Sequence, residues 1–422
     1  MERTDVVIVG AGAAGLMAAI WAGRSAPGAG IVALDGARSL GAKILVAGGG
    51  RCNVTHFEVD ERAYAGAARP LIGRALRRFP VRRTVEFFES LGVTLKQEET
   101  GKLFPTSDRA RDVLGALLSA AREAGAEVRF PWRVGSVERD GEGFEVREAS
   151  VEGGGARVIH AKRVVLATGG KALPKTGSDG SGYAIARALG HSVTERVFPA
   201  LAPLVLPQGH FLTALSGVAA PATVEVRSGT GRRVASFTNS LLCTHFGLSG
   251  PAALDVSRWW TAAAGEDPGT RLTVNWIPGQ TPESFDRSLL AQPAAGAMRP
   301  LREAGLPERL AKALLGHAGI GLGERISNLT KERRGAMVRA VTELEVPLIG
   351  DRGFAYAEAT AGGIPLTELD LGTMESKRCP GLHLCGEVCD VDGRVGGFNF
   401  QWAWASGHVA GVGAAREVAG LG

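Results

Sequence analysis

The chain predicts an α/β fold: a Rossmann-like dinucleotide-binding domain carried in two sequence segments and interrupted by a β-rich insertion. Three observations carry this. A short β-branched run, Asp5 to Val9, leads into Gly10-Ala11-Gly12-Ala13-Ala14-Gly15 and then an alanine-rich helical stretch to about Gly23. A second strand, Ile31 to Leu34, ends on the acid Asp35. Glycine-rich α/β texture stops near Val193 and resumes only after Leu348.

In the first loop, glycine serves a different purpose at each position. Gly10 permits the tight turn, Gly12 lets the backbone approach a pyrophosphate, and Gly15 lets the helix pack on the sheet. The helix start then offers free N–H groups and a partial positive charge to phosphate. Asp35 lies twenty residues beyond Gly15, where a carboxylate accepts hydrogen bonds from an adenosine ribose. The strand, loop, helix and acid together predict dinucleotide binding.

Further glycine clusters follow along the chain. Gly48-Gly49-Gly50-Arg51-Cys52-Asn53-Val54-Thr55 reads as backbone that lies against a ring system, with Arg51, Asn53 and Thr55 as donors, or as a plain turn. Thr84 to Leu91 and Arg111 to Ala124 have helical spacing, while Val128 to Glu148 and Val158 to Leu166 read as strands. The last strand ends in Thr168-Gly169-Gly170, followed by the glycine-rich stretch Thr176 to Gly182. Near the C-terminus, Cys385-Gly386-Glu387 sets a carboxylate at a strand end to meet a polyol hydroxyl. Gly396-Gly397-Phe398-Asn399 then opens a final helix from about Phe400 to Ala415, whose first N–H groups face negative charge.

The insertion, residues 193–348, contains β-branched runs at Ala222 to Val226 and Leu272 to Ile277. A helical segment, about 282–339, is nested in it, with helices expected at Pro282 to Leu290, Glu308 to Leu315 and Lys331 to Leu344. Residues 1–192 and 349–422 are expected to form the nucleotide-binding domain.

Composition excludes several other classes. A chain of 422 residues with 45% hydrophobic content and 60 glycines is neither disordered nor a single small domain. Five cysteines without a CxxC support neither a disulfide framework nor a zinc site, so no metal is expected. No apolar run is long enough to span a bilayer and no leader pattern is present, so a cytoplasmic protein without membrane association is expected. The net charge of +5 permits polyanion binding without requiring it. Arg69, Arg74, Arg77, Arg78, Arg82 and Arg83 cluster locally, and read either as a phosphate-tracking surface or as a solvated helix face.

Seven motifs together resemble the BaiN/RdsA family of NAD(P)/FAD-dependent oxidoreductases. They are GAGAAG from Gly10, KILVAGGGRCNVT from Lys43, GKLFPTSDRARDVL from Gly101, LATGG from Leu166, THFGLSGP from Thr244, TAGGI from Thr360 and GEVCDVDGRVGGFNFQWAWASG from Gly386. The resemblance spans essentially the whole chain. It implies FAD, held tightly and non-covalently, and a β-barrel-like insert carrying a helical cap. It implies cofactor contacts at Gly10, Gly12, Ala13, Ala14, Gly15, Asp35, Lys43, Gly49, Gly50, Arg51, Asn53, Val134, Thr168, Gly169, Gly170, Gly386, Glu387, Gly397, Phe398 and Asn399. Two departures stand out: Asp35 where the family usually has Glu, and Cys389 where an aliphatic residue is usual.

The family resemblance also implies NAD(P)H-driven reduction of a conjugated C=C bond, in the uracil ring of ribosomal RNA or in a small unsaturated carbonyl compound. An amine-type flavin oxidase is the alternative, and a non-catalytic flavin or RNA scaffold the third class. Reducing such a bond needs a proton donor. His245 is the first candidate and Cys52 the second, with Tyr183 and Tyr356 behind them; each also reads as a structural residue. Phe104, Thr106 and Arg109 read as cavity lining or as a loop brace. No second GxGxxG with a downstream acid is present, so NAD(P)H is expected to bind transiently rather than in a domain of its own. Oligomeric state is left open.

Overall fold

In the computed structural model, which describes residues 2–141, 143–149 and 157–418, the central strand β1 spans Glu2–Val9. Its last four residues are fully or almost fully buried, as a parallel strand covered on both faces requires. β1 pairs in parallel with β2 (Ile31–Leu34) on one side and with the strand Val158–Leu166 on the other. The sheet extends through Ala126–Arg129 beyond β2. Beyond Val158–Leu166 it extends through Leu382–Leu384, also parallel, to two short antiparallel strands at Glu375–Ser376 and Leu369–Asp370. An antiparallel hairpin, Val134–Asp140 with Gly143–Glu148, joins the same sheet.

Helix α1 (Ala13–Ser25) follows β1 and packs against the terminal helix Phe398–Val418. This contact explains the small residues of the terminal helix. A Cβ on Gly407 would lie 2.4 Å from the Ala14 carbonyl oxygen, and one on Gly411 would lie 2.3 Å from that of Ala18. Between the first strands lie α2 (Ala42–Gly50), α3 (Arg69–Leu76), α4 (Val81–Ser90) and α5 (Ala110–Glu123). α6 (Ser181–Ala188) follows the Val158–Leu166 strand.

The chain divides into two compact units, Met1–Phe198 with Ala359–Gly422, and Pro199–Glu358. These borders lie six and ten residues beyond those read from sequence. The second unit has its own apolar core and an antiparallel sheet of seven strands. The sheet runs in the order Leu344–Val346, Arg271–Asn275, Ala219–Arg227, Arg233–Thr244, Gly247–Ser249, Leu204–Val205 and Gly350–Asp351. Among the described residues no pairing joins the two end strands, so this barrel-like sheet is not closed. The nested helices are present at Pro282–Leu290, Met298–Glu303, Glu308–His317 and Lys331–Thr342. The last stops short of Leu344 because Leu344–Val346 pairs with Leu272–Val274, tertiary pairing overriding local helical spacing. Among the described residues no helix is long and apolar enough to cross a membrane.

Candidate dinucleotide site

Strand register assembles the site. Val9 lies opposite Leu34 in β2 and opposite Leu166, and Leu166 in turn lies opposite Leu384. Four parallel strands therefore end level, and the residues after them meet at one carboxyl edge: Gly10–Gly15, Asp35, Thr168–Gly170 and Cys385–Glu387. In an open parallel sheet that edge is where ligands bind.

The first loop has the steric signature of a phosphate cradle. Gly10 has φ +99°, and a Cβ there would lie 2.5 Å from the Ala167 carbonyl oxygen. A Cβ on Gly15 would lie 1.8 Å from the Gly10 carbonyl oxygen. Gly12 differs, since a Cβ there would meet no protein atom within 4 Å. Gly10 and Gly15 are thus demanded by the fold, whereas Gly12 faces open space at the start of α1. Ala13 and Ala14 form the first turn of that helix, whose N-cap, Gly12, supplies no side-chain cap, so the N–H groups there stay available to phosphate. Asp35 accepts from the Ala11 and Ala37 N–H groups, both at 2.8 Å. Those bonds fix its carboxylate beside the loop, and each oxygen keeps a lone pair for a ribose hydroxyl. The Asp35 carbonyl holds the Trp132 N–H at 2.7 Å, which brings the start of the Val134 strand to the same side.

The second group of residues surrounds Glu387. Lys43, near the start of α2, pairs with its Oε2 at 2.5 Å. Its Oε1 is buried and has no partner. A Cβ on Gly170 would lie 3.0 Å from that Oε1 and 2.4 Å from Thr360 Oγ1. Tyr183 lies nearby, buried, with a partnerless hydroxyl. Burial, and secondarily the Glu387 charge, push its phenol up, so it stays a neutral donor. Asn53 Oδ1 is likewise buried without a partner. Orphaned buried polar groups each cost on the order of 1–3 kcal/mol. A polyol chain that both donates and accepts would satisfy the neighbouring Glu387 and Tyr183, so the residues present fit an FAD.

The terminal helix fastens these loops. Trp402 Nε1 donates to the Gly386 carbonyl at 3.0 Å, and Ser406 Oγ accepts from the Gly386 N–H at 2.9 Å. Trp404 Nε1 donates to the Val54 carbonyl at 2.8 Å. Gln401 Oε1 accepts from Thr55 Oγ1 at 2.7 Å and from Thr84 Oγ1 at 3.0 Å, while its Nε2 donates to the Phe79 carbonyl at 2.8 Å. These four side chains were not singled out from the sequence. Their signal lay in QWAWAS, where polar atoms recur in an otherwise apolar helix.

Other expected residues are placed differently. Gly49 and Gly50 have φ +70° and +87° and make the sharp exit from α2. Arg51 is engaged with the protein: it pairs with Glu98 at 2.6 Å and its guanidinium lies 3.9 Å from the Phe104 ring centroid. Asn399 closes a loop, its side chain bonding the Gly393 N–H and carbonyl at 2.8 and 3.0 Å. Gly397 passes over the Thr55 backbone, where a Cβ would lie 2.5 Å away, and Phe398 stacks on His56. Gly169 has φ +72°, and Thr168 packs directly on Gly182 of α6. Thr106 and Arg109 are exposed, and Arg109 pairs with Asp112 at 3.1 Å.

Cys52 is fully buried at φ +61°, and burial pushes its thiol up to about 12. A thiol so held is protonated and inaccessible, which favours packing over nucleophilic chemistry. His245 lies in the second unit, exposed at the two-residue tip of the hairpin that ends at Thr244 and restarts at Gly247. Among the described residues it makes a ring contact with Phe246 and no hydrogen bond. Tyr356, also in the second unit, is half exposed beneath the Arg352 guanidinium at 3.5 Å.

The family model "HI0933-like protein Rossmann domain" matches residues 4–413. The chain belongs to this HI0933-like family. Its relatives include the BaiN and RdsA oxidoreductases, and the first unit is a Rossmann-type FAD-binding domain. The chain is 33% identical over 408 residues to "Ribosomal RNA dihydrouridine synthase" of Escherichia coli (strain K12), covering 96% of each. It is 35% identical over 415 residues to "3-dehydro-bile acid delta(4,6)-reductase" of Clostridium scindens, covering 97% of this chain and 98% of that one. In fold it is similar to quinol fumarate reductase FrdA of E. coli, with a TM-score of 0.53 at 17% identity, covering 100% of this chain and 72% of that one.

Proposed function

We propose that this HI0933-like protein is an FAD-dependent oxidoreductase that uses NAD(P)H to reduce a conjugated C=C bond. The observation that carries it is the level carboxyl edge of four parallel strands, with the partnerless Glu387 Oε1, on the turn that packs against Ala14 of the open glycine loop, and its neighbour, the partnerless Tyr183 hydroxyl. The chemistry FAD supplies when bound is two-electron transfer between a nicotinamide and an acceptor.

The chain's own residues do the rest. Gly12 and the first turn of α1 bind the pyrophosphate, and Asp35 holds the ribose. Glu387, oriented by Lys43, and Tyr183 receive the polyol chain. Gly386 is kept in place by Trp402 and Ser406, so the carboxylate beside it does not drift. The acceptor class follows the names of the two relatives, a uracil ring in RNA or an unsaturated carbonyl compound; in both, a double bond conjugated to a carbonyl is saturated. That step needs a proton on the second carbon, and His245, exposed and without a hydrogen-bond partner among the described residues, is the donor we propose.

The test is to incubate the FAD-loaded protein anaerobically with NAD(P)H and either unmodified ribosomal RNA or a conjugated enone, and to weigh the product. Gain of two hydrogens is expected. Steady hydrogen peroxide formation with an amine, and no saturated product, would replace this reading with an oxidase. His245→Gln is expected to slow product formation by about 10²-fold or more while NAD(P)H still bleaches the flavin at the wild-type rate.

A further inference from the structure

The arginines of the α3–α4 corner are the part of the first unit that the flavin site does not explain. Positions 69–83 hold six arginines, no lysine and no acid. All six side chains are exposed. Among the described residues only Arg82 has an acidic partner, Glu86 at 3.6 Å. A helix face meant merely to be soluble would mix signs or pair them.

Two further observations give the corner a direction. It lies over an aromatic bed: the Arg83 guanidinium is 5.5 Å from the Phe79 ring centroid, and Arg24 of α1 is 5.4 Å from Trp21 and 5.5 Å from Phe87. Stacking of this kind fixes a guanidinium plane, and Arg83 Nη1 also donates to the Arg78 carbonyl at 3.2 Å, which leaves its remaining N–H groups for phosphate. The corner is also tied to the flavin-side loop. Buried Gln401 bonds the Phe79 carbonyl and Thr84 on one side and Thr55, of the GGGRCNVT motif, on the other. The charged surface therefore has a fixed register to the cofactor loop.

We propose that the α3–α4 corner, with Arg24, docks the phosphodiester backbone of an RNA substrate. This rests on the reductase reading and selects the uracil ring as its acceptor. Arginine forks match phosphate bidentately. No exposed large apolar side chain accompanies these arginines, so nothing there would insert into a lipid surface.

The experiment measures binding of FAD-loaded protein to a fluorescein-labelled ribosomal RNA transcript across a salt series. Wild type is compared with a variant carrying Arg74→Gln, Arg77→Gln, Arg78→Gln and Arg83→Gln. The variant is expected to bind at least about tenfold more weakly, with a log–log salt slope shallower by about 3. Equal affinity and slope would overturn the assignment. So would an equal loss from a charge-matched variant elsewhere (Arg232→Gln, Arg271→Gln, Arg299→Gln, Arg302→Gln). Preference of the wild type for phosphatidylglycerol vesicles or polyglutamate over the transcript would overturn it in favour of a membrane or an acidic protein. Bleaching of the flavin by NAD(P)H is read on the same samples; its absence would contradict the reductase reading separately from the binding result.

Discussion

The three glycines of the first loop separate what the fold demands from what the ligand demands. A side chain at Gly15 collides with the Gly10 carbonyl, so Gly15→Ala is expected to destabilise the unit by about 1–3 kcal/mol or more, read in urea unfolding. A side chain at Gly12 meets no protein atom within 4 Å. Gly12→Val is therefore expected to unfold like the wild-type apoprotein and yet retain no FAD, because it fills the space the pyrophosphate needs. Full flavin occupancy in that variant would show the cradle to be misplaced. Asp35→Ala should weaken retention more gently, by about 1.5–3 kcal/mol of charge-assisted hydrogen bonding. Cys52→Ala should leave flavin bleaching intact, since its thiol is buried and protonated. The backbone at Gly10 and Gly15 was legible because each close approach there admits one residue type at one spacing. The engagement of Arg51 with Glu98 and of Asn399 with Gly393 was not, because a donor's partner is chosen by the tertiary fold, and the sequence shows only that a donor is present.

The terminal helix carries the densest information at the scale of elements. Its existence was legible from the run after Gly397, but its two jobs were not, because most of their partners lie far away in sequence: Gly407 and Gly411 admit α1, Gln401 and Trp404 hold Phe79 and Val54, and Trp402 and Ser406 hold the nearer Gly386. His408, on the same helix, is packed edge-on to Trp21 at 4.5 Å. Burial, and secondarily Arg83, hold its imidazole down to about 4, below the ordinary 6.5. The folded state thus prefers neutral His408, so its contribution to stability is present above pH 6.5 and is lost as pH falls from there toward 4. Between about pH 7 and about pH 5 the loss is on the order of 2 kcal/mol. Burial lowers His191 in the same direction, so His408→Phe should flatten this acid slope without abolishing it. An unchanged slope in urea titrations at the two pH values would remove His408 as its source.

Across the molecule, the borders read from sequence differ from those of the two compact units by six and ten residues, in stretches where texture changes as one core gives way to another. Closure of the insert sheet was not legible: alternation reports which residues face a core but not whether end strands meet. Assembly of the site was legible only as a set of glycine clusters; that their strands end level is a property of parallel register, which no single segment contains. The central claim is that this edge holds a flavin reducible by NAD(P)H and reoxidised by a conjugated acceptor. Anaerobic stopped-flow spectroscopy of the purified protein tests it most directly. The account predicts a visible flavin spectrum that bleaches on mixing with NADPH or NADH and recovers on adding unmodified ribosomal RNA or an enone. A protein without flavin, or a bound flavin that neither nicotinamide bleaches, would contradict it.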